Sequence, residues 1–411
     1  MTQTAARPPM LTTAQALEAL MAGATPITET ETVDTLDANG RVLAAPVRSA
    51  LRVPPADNTA MDGYAMRAAD VPAAGARLPV SQRIPAGHVG TELAPGTAAR
   101  IFTGGLIPPG ADAVVMQEQC ESDGDVVVIN HVPASGEWIR RAGEDIEIGS
   151  EILCAGTRLS PQALGLAASV GQASLDVVRR VRVAVFFTGD ELALPGEPLK
   201  PGAIYNSNRF TLRGLLQNLG CEVTDFGIVP DTLAATRDTL RRAAAGNDLI
   251  ITSGGVSVGE EDHIRPAVTA EGRLDLWQIA MKPGKPLAFG QVANGSGKPT
   301  FFIGLPGNPV SSFVTFLLFV RPFLLRLQGV ADVTPRRIAV RADFDLPRGD
   351  RRNEFLRARF NDAGGLDLFP NQSSGVLTST VWGDGLIDNP PNQPIRRGDT
   401  VQFIPFASLL A

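Results

Sequence analysis

The sequence has few of the residues that hold disulfide frameworks and zinc sites. It contains three cysteines, Cys120, Cys154 and Cys221, which are odd in number and far apart, and only three histidines. No CxxC pair is present. A disulfide-stapled fold and a zinc centre are both disfavoured, because neither the number nor the spacing of the available ligands suits them.

Two further absences restrict the possible functions. The formal net charge is −6 and 19% of residues are charged, so the chain has neither the basic field of a nucleic-acid binder nor the charge excess of a disordered protein. It has no run of 18 apolar residues, and its start, MTQTAARPPML, has no basic region followed by an apolar stretch. We therefore expect a cytoplasmic protein without nucleic-acid or membrane partners, in which a local cluster of donors binds any anionic ligand.

The patterning changes along the chain, which at 411 residues is too long for one hydrophobic core. Thr12 and Gln15 resemble a capping box that opens a helix. From about residue 25 to 180, short alternating runs broken by Gly and Pro indicate β-rich structure in more than one unit. Strand-like and helix-like runs alternate over 181–327, which predicts a parallel sheet covered on both faces, and strand-like runs return from 335.

The predicted α/β unit carries unusual polar residues where its strands end, which is where open α/β sheets bind ligands. The segments after three strands are TGDEL, TSGGVSVGEEDH and GLPGNPVSS, and MKPGKP lies between the last two. They supply carboxylates, glycines that allow close backbone approach, a helix N-terminus, and the ammonium groups of Lys282 and Lys285. This combination suits a phosphate ester bound together with a divalent cation.

Each segment also has an ordinary structural interpretation. The glycine-rich turn lacks the GxGxxG spacing of dinucleotide binders, and KPGKP alone is typical of a surface turn with solvated lysines. Asp190 or Glu191 could stand at the start of a helix. The reason to prefer a binding site is that these segments converge on one edge of a sheet.

A second polar segment, PPADNTAMDGYAMR, lies far from this unit in the sequence. An Asp-Gly turn at Asp62 accounts for one of its aspartates, but not for so many polar groups in one short segment. The segment is therefore either a solvated turn or part of a site formed with another element.

Several ordered motifs resemble the molybdopterin molybdenumtransferase family, which includes bacterial MoeA and the gephyrin E domain. They are DNTAMDGYA, RIFTGG, RRAGEDI, TGDEL, TSGGVSVGEED, KPGKP, GLPGNPVSS, and the late NEFLRARF with NQSSGVLTS, and together they span nearly the whole chain. The resemblance implies a multidomain α/β plus β fold. It predicts a doubly wound α/β molybdopterin-binding domain at 181–330, β-rich N-terminal domains at 1–50 with 140–180 and at 51–139, and a C-terminal β-barrel at 331–411.

The same resemblance implies an activity and an assembly. It predicts insertion of molybdate into adenylylated molybdopterin with release of AMP, dependence on Mg²⁺, and a homodimer with its active site at the subunit interface. Contact with the molybdopterin adenylyltransferase is a further expected partnership. Two rival functions are that adenylyltransferase activity itself, which normally needs only the α/β domain, and a scaffold role without catalysis. Tungstate and molybdate are dianions of nearly equal size, so the residues do not separate them.

By position in these motifs, the resemblance also assigns roles to residues. Glu191 and Asp262 would hold Mg²⁺, Asp62 would act across the dimer interface, and Arg357 would help to bind molybdate. Gln278 stands where some members carry a lysine, so that cation is missing here. The predicted catalytic residues are Asp62, Glu191, Asp231, Asp262, Lys282 and Lys285; the predicted binding residues are Thr103, Asp145, Gly254, Gly255, Ser257, Gly307, Asn308, Ser311, Arg357 and Ser374, with Glu118 as a further carboxylate.

Overall fold

The order of secondary structure follows the change in patterning along the chain. The computed structural model describes residues 10–255, 263–295 and 297–410. Short strands dominate the first part, strands and helices alternate in the middle, and strands return at the end. The predicted fold class, multidomain α/β plus β, is confirmed.

The first helix, Thr13–Gly23, begins at the predicted capping box. The hydroxyl of Thr12 accepts a hydrogen bond from the amide of Gln15 at 3.2 Å, and the Gln15 side chain accepts one from the amide of Thr12 at 3.0 Å. Ala16 and Leu20 are fully buried and pack against the core of the α/β unit. The helix therefore belongs structurally to that unit, although it precedes the β-rich region in the sequence.

Two β-rich assemblies follow the first helix. Strand Thr30–Asp34 pairs antiparallel with Ser174–Val178, and Asp34 lies opposite Ser174. A six-stranded sheet, built from residues 63–129, lies between these two strands in the chain. The strands of the region are Thr30–Asp34, Val47–Arg48, Asn58–Thr59, Gly63–Met66, Ala76–Ile84, Ala98–Ile101, Ala113–Met116, Cys120–Asp123, Val126–Ile129, Ile139–Arg140, Glu151–Leu153 and Ser174–Val178, with 3-10 turns at Thr35–Asp37, Ala68–Asp70 and Gln117–Gln119.

A helix over Pro161–Ser169 interrupts this region and was not predicted. Its start carries two local signals: Ser160 accepts a hydrogen bond from the amide of Ala163 at 3.3 Å, and Pro161 occupies the first turn. Ala163 and Ala167 are buried in the N-terminal core. The helix was missed because small alanine side chains give a weak apolar periodicity.

One six-stranded sheet forms the centre of the α/β unit. Strand Arg182–Thr188 sends alternate side chains, such as Phe186 and Phe187, into two separate cores, so the sheet is covered on both faces. The predicted parallel sheet is interrupted by one strand, because Pro286–Val292 runs antiparallel to both of its neighbours, Thr300–Leu305 and the edge strand Gly272–Gln278. In spatial order the strands are Glu222–Val229, Arg182–Thr188, Leu249–Ser253, Thr300–Leu305, Pro286–Val292 and Gly272–Gln278.

The most apolar helical segment runs through the core of this unit. It consists of Pro309–Thr315, a π-helical turn Phe316–Val320, and Arg321–Leu327. By length and composition alone this helix could cross a membrane, but 83% of its most apolar stretch is buried inside the protein, as in the core helix of a soluble protein. The remaining elements of the unit are the helices Ser207–Asn218, Leu233–Ala244 and Ile264–Glu271 and the short strands Leu192–Ala193 and Ile204–Tyr205.

The C-terminal strands close into a small barrel, as predicted. A bridge between Ala342, next to Ile338–Arg341, and Leu366, whose strand pairs with Asn353–Phe360, completes the ring. Strand Met281–Lys282 of the α/β unit adds in parallel to Asn353–Phe360, so the two units share a sheet edge. The barrel elements are Ile338–Arg341, Asn353–Phe360, Leu366–Leu368, Gly385–Asn389 and Thr400–Pro405, with helices Thr378–Trp382 and Ala407–Leu410.

Candidate active site

A cavity of about 850 Å³ lies between the central sheet and the barrel. Its floor is formed by the turns after Arg182–Thr188, Leu249–Ser253 and Thr300–Leu305, where the order of the strands reverses. Residues 372–374 of the barrel form part of a wall. The structure brings to this cavity the predicted residues Glu191, Asp231, Gly254, Gly255, Lys282, Lys285, Gly307, Asn308, Ser311 and Ser374.

The glycine-rich turn at the floor has a backbone conformation and a close backbone contact that require glycine. Gly254 has a φ of +99°, and a Cβ there would lie 3.0 Å from the carbonyl oxygen of Thr188. Gly255 also has a positive φ, of +63°. Any ligand over this turn therefore meets backbone rather than side chains. The predicted residues Ser257 and Asp262, and the neighbouring Glu260 and Glu261, lie outside the described residues.

The helix that begins at Pro309 points its N-terminus toward the cavity. Asn308 and Ser311 line the cavity, and Ser311 is almost fully buried. The amide of Val310 donates to the carbonyl of Ser374 at 3.0 Å, which ties the barrel loop to the first helical turn. Amides in the first turn of a helix, together with the helix dipole, favour an anion at this end.

The cations of the cavity differ in their partners. The ammonium of Lys282 lies 3.1 Å from the Glu354 carboxylate, and the guanidinium of Arg352 donates to both carboxylate oxygens of Asp350 at 3.0 Å. Hydrogen bonds from Arg352 hold the pKa of Asp350 well below its usual range. Within the described ranges Lys285 makes no ion pair, so its ammonium group is available to bind an anionic ligand in the cavity.

Two carboxylates, those of Glu191 and Asp231, line the cavity. The Glu191 carboxylate lies against Gly189, where an added Cβ would be 2.6 Å from one of its oxygens. In residues 10–255, 263–295 and 297–410, no group of three or more His, Cys, Asp or Glu side chains is arranged to hold a metal. The donor set nevertheless fits Mg²⁺, which prefers oxygen ligands and binds through one or two carboxylates while keeping several waters.

Two asparagines beside the cavity were missed by the sequence analysis. The amide of Asn208 donates to the hydroxyl of Ser253 at 2.8 Å and to the carbonyl of Gly307 at 2.7 Å, which links two floor turns. Asn206 is buried and caps the helix Ser207–Asn218, and its amide nitrogen has no hydrogen-bond partner in the part of the chain that the structure describes. The asparagine-rich start of this helix, YNSNRF, was the available signal.

Arg357 does not line the cavity; it lies behind the wall, with 1% of its surface exposed. Its guanidinium donates to the hydroxyl of Ser379 at 3.0 Å and to the carbonyls of Ser373 at 3.2 Å and Phe355 at 3.4 Å. Burial lowers its pKa to about 10. The predicted direct contact with molybdate would require the guanidinium to leave one of these carbonyls, so in this arrangement it holds the loop at Ser373.

The predicted residues of the N-terminal region lie away from the cavity of their own chain. The carboxylate of Asp62 accepts hydrogen bonds from the amide of Thr103 at 2.7 Å and from its hydroxyl at 2.8 Å, and these bonds lower the pKa of Asp62. Asp145, Glu118 and Gln278 also lie outside the cavity lining. The predicted action of Asp62 across a dimer interface stays a prediction.

The fold and the cavity together define a class: a multidomain α/β protein with an anion-binding cavity at the carboxyl edge of its sheet, closed by a β-barrel. Three family models match the chain: MoeA N-terminal region (domain I and II) at 11–171, Probable molybdopterin binding domain at 184–326, and MoeA C-terminal region (domain IV) at 339–406. The chain belongs to the molybdopterin molybdenumtransferase family, as the sequence motifs predicted.

Relatives match over nearly the whole length. The molybdopterin molybdenumtransferase of Haemophilus influenzae is 39% identical over 394 residues, covering 93% of this chain and 95% of the relative. Molybdopterin molybdenumtransferase 2 of Mycobacterium tuberculosis is 40% identical over 373 residues, covering 87% and 90%. The crystal structure of the molybdopterin biosynthesis moeA protein from Pyrococcus horikoshii OT3 is 30% identical with a TM-score of 0.83, covering 97% of this chain and 100% of that one.

Proposed function

We propose that the chain is a molybdopterin molybdenumtransferase of molybdenum cofactor biosynthesis, which transfers molybdenum from molybdate to adenylylated molybdopterin and releases AMP. The observation that supports this most directly is the cavity between the probable molybdopterin-binding region and the barrel, lined by an unpaired ammonium, a helix N-terminus and hydroxyls. Its volume of about 850 Å³ is near the upper end of small-molecule sites, as a pterin nucleotide requires.

The anion-binding groups of the cavity come from both units. Lys285, the turn at Gly254 and the helix start at Asn308 belong to the α/β unit and suit the phosphate oxygens of the pterin substrate. Ser374 faces the same cavity from the barrel, and with Ser311 it offers hydroxyl donors to a tetrahedral dianion. Molybdate and the phosphoanhydride are thereby held next to each other.

In the proposed reaction an oxygen of molybdate or of water forms a new bond to a phosphorus of the phosphoanhydride and the bridging P–O bond breaks. AMP leaves, and the pterin keeps its own phosphate. The ammonium of Lys285 and the dipole of the helix that begins at Pro309 stabilise the charge that develops on the phosphoryl oxygens. Lys282 and Arg352 are already paired with Glu354 and Asp350, so their main task is to hold the wall between the two units.

Mg²⁺ is the proposed resident cation. Glu191 and Asp231 would hold it, and the family resemblance adds Asp262 as a further ligand. When bound, the ion supplies Lewis-acid polarisation of a phosphoryl oxygen. The absence of a side chain at Gly189 leaves room for the Glu191 carboxylate, which lines the cavity.

The proposed assembly is a cytoplasmic homodimer in which Asp62 of one subunit reaches the cavity of the other. The hydrogen bonds from Thr103 keep Asp62 ionised and fixed, as a carboxylate acting across an interface requires. Contact with the adenylyltransferase that produces the substrate is part of the same proposal.

The test of this function is an anaerobic assay of AMP release from adenylylated molybdopterin. We expect release that requires both Mg²⁺ and molybdate. Lys285→Gln should lower the rate by about 10²- to 10³-fold, because one preorganised charge on the developing phosphoryl anion is lost. Lys200→Gln, an exposed lysine outside the cavity lining, is the matched control and should leave the rate unchanged.

Two results would contradict the proposal. AMP release that is independent of molybdate would remove the insertase step. Synthesis of the adenylylated pterin from ATP and molybdopterin by the purified protein would instead identify the adenylyltransferase.

A further inference from the structure

The charges of the cavity do not balance those of the proposed substrates. The described groups at the cavity and directly paired with it comprise three cations and four carboxylates: Lys282, Lys285 and Arg352 against Glu191, Asp231, Asp350 and Glu354. A phosphoanhydride and a molybdate dianion would add several further negative charges. Entry of Asp62 from a second subunit would add one more. The proposed Mg²⁺ would offset only part of this negative charge, so further positive charge would favour binding of the substrates.

A suitable source of positive charge lies beside Asp62. Arg83 and Arg100 are directly opposite each other on neighbouring strands of the six-stranded N-terminal sheet. The guanidinium carbon of each lies 4.5 Å from the centre of the Phe102 ring. Within the described ranges neither arginine forms a salt bridge, although like charges at directly opposite positions destabilise a sheet. An anion bound to both would remove that repulsion.

The two arginines differ in how firmly they are held. Arg100 donates to the carbonyl of Gly63 at 2.8 Å and to the side chain of Gln117 at 2.6 Å, so its position is fixed by the strand that follows Asp62. The side chain of Arg83 is exposed and contacts only the ring of Phe102 among the interactions described. The side chain of Arg83 is thus able to rotate toward a ligand, whereas the fixed guanidinium of Arg100 would orient that ligand.

Arg100 is also electrostatically coupled to Asp62. Its charge contributes to the lowered pKa of the Asp62 carboxyl, after the hydrogen bonds from Thr103. Asp62 precedes Gly63, which pairs with Ile101, the neighbour of Arg100. Because the strands around Asp62 and Arg100 form one hydrogen-bonded sheet, an interface that brings Asp62 to a cavity brings Arg100 and Arg83 with it.

We propose that Arg83 and Arg100 of one subunit, flanking Phe102, form an anion-binding face that completes the cavity of a second copy of this chain and binds the phosphate groups of adenylylated molybdopterin. This inference rests on the proposed function and extends it to residues outside the predicted site. The cavity then receives two guanidinium groups together with the Asp62 carboxylate.

The first experiment replaces Arg83 by Gln and measures KM for adenylylated molybdopterin and kcat for AMP release. We expect KM to rise by about 10- to 100-fold with kcat near wild type, since one charge-assisted contact to the bound phosphate is lost. Arg77→Gln, an exposed arginine on the same strand, is the control and should change neither constant. Equal KM values for the two variants would overturn the inference while leaving the proposed function standing.

The second experiment mixes Arg83→Gln subunits with Lys285→Gln subunits and allows exchange. If the two residues act in one site from different subunits, each heterodimer has one intact site, and statistical exchange should give about a quarter of wild-type activity at subsaturating substrate.

No recovery of activity after heterodimers are demonstrated would overturn the action in trans. A weakened dimer at unchanged KM would show instead that Arg83 pairs with the partner's surface. Wild-type protein that releases no AMP would remove the proposed function itself, and with it this inference.

Discussion

Arg357 shows how one residue can matter to a ligand that it does not touch. Its charge is buried, and within the described residues its guanidinium is bound by a hydroxyl and carbonyls rather than by a carboxylate. A pKa of about 10 leaves it protonated at neutral pH. The charge therefore remains uncompensated behind the loop at Ser373, where it favours an anion in the cavity and also holds the loop in place.

The prediction for this residue separates the two ligands. Arg357→Met should raise the molybdate concentration needed for half-maximal turnover by about 10- to 100-fold and leave KM for the pterin near wild type, because the charge and the loop contact are both on the barrel side. It should also lower the free energy of unfolding by about 1 to 3 kcal/mol, since buried acceptors lose their donor. Arg357→Lys should rescue only part of the molybdate effect, because an ammonium keeps the charge but not the planar fork.

The matched control is Arg359→Met, on the same strand, where the guanidinium stacks on Trp382 at 4.4 Å. It should change neither ligand constant. Equal weakening of both ligands by Arg357→Met would count against the assignment of Arg357 to the barrel side of the cavity.

At the scale of elements, the turn after strand Leu249–Ser253 shapes the floor of the cavity. Gly254→Ala should destabilise the protein for two reasons. Alanine tolerates a φ of +99° poorly, and its Cβ would lie 3.0 Å from the carbonyl oxygen of Thr188. We expect a loss of about 1 to 3 kcal/mol in stability and weaker substrate binding, measured by thermal unfolding and by KM.

Gly246→Ala provides the comparison for this turn. Gly246 has a φ of +87°, and an added Cβ there meets nothing within 4 Å. Gly246→Ala should therefore lower stability through backbone strain but should leave KM for the pterin substrate unchanged. An unchanged KM for Gly254→Ala would show that the turn does not contact the substrate.

The elements also show which features the sequence could predict. The helices at 13–23 and 207–218 and the strands at 182–188 and 249–253 were predicted because local capping and periodicity determine them. The antiparallel direction of Pro286–Val292 was not predicted, since direction within a sheet depends on connections that periodicity does not encode.

The cavity was predicted in part for a similar reason. Residues on the turns after strands were found because all parallel strands end at the same sheet edge. Arg352 and Gln372 were missed because they reach the cavity only through docking of the barrel, and Asn206 because helix capping is its visible local role. The burial of Arg357 behind the wall was not predicted, since alternation in its strand leaves the inward face undecided; its role toward molybdate stays a prediction.

At the scale of the whole molecule, the joint between the α/β unit and the barrel determines the shape of the cavity. Glu354 lies at this joint with 4% of its side chain exposed; it accepts from Lys282 at 3.1 Å and from the amide of Asp350 at 2.9 Å. Glu354→Gln should lower stability by about 1 to 2 kcal/mol, since Lys282 remains partly solvated, and should increase hydrogen exchange over residues 350–376.

The control for the joint is Asp275→Asn, which removes an exposed ion pair with Arg273 inside the α/β unit. It should leave both stability and exchange near wild type, as expected for a solvated pair. Unchanged exchange over 350–376 in Glu354→Gln would show that the strand pairing at Met281–Lys282 holds the joint without the ion pair.

The antiparallel pair of Thr30–Asp34 with Ser174–Val178 brings the two ends of a long segment together. Asp34 and Ser174 stand opposite each other, so the chain leaves the rest of the protein and returns at adjacent points. A segment with such neighbouring ends can be inserted, exchanged or lost by recombination with little change to the surrounding fold. Residues 35–173 are therefore an insertion anchored at one place, and the residues proposed to act on a second subunit, Asp62, Arg83 and Arg100, all lie within it.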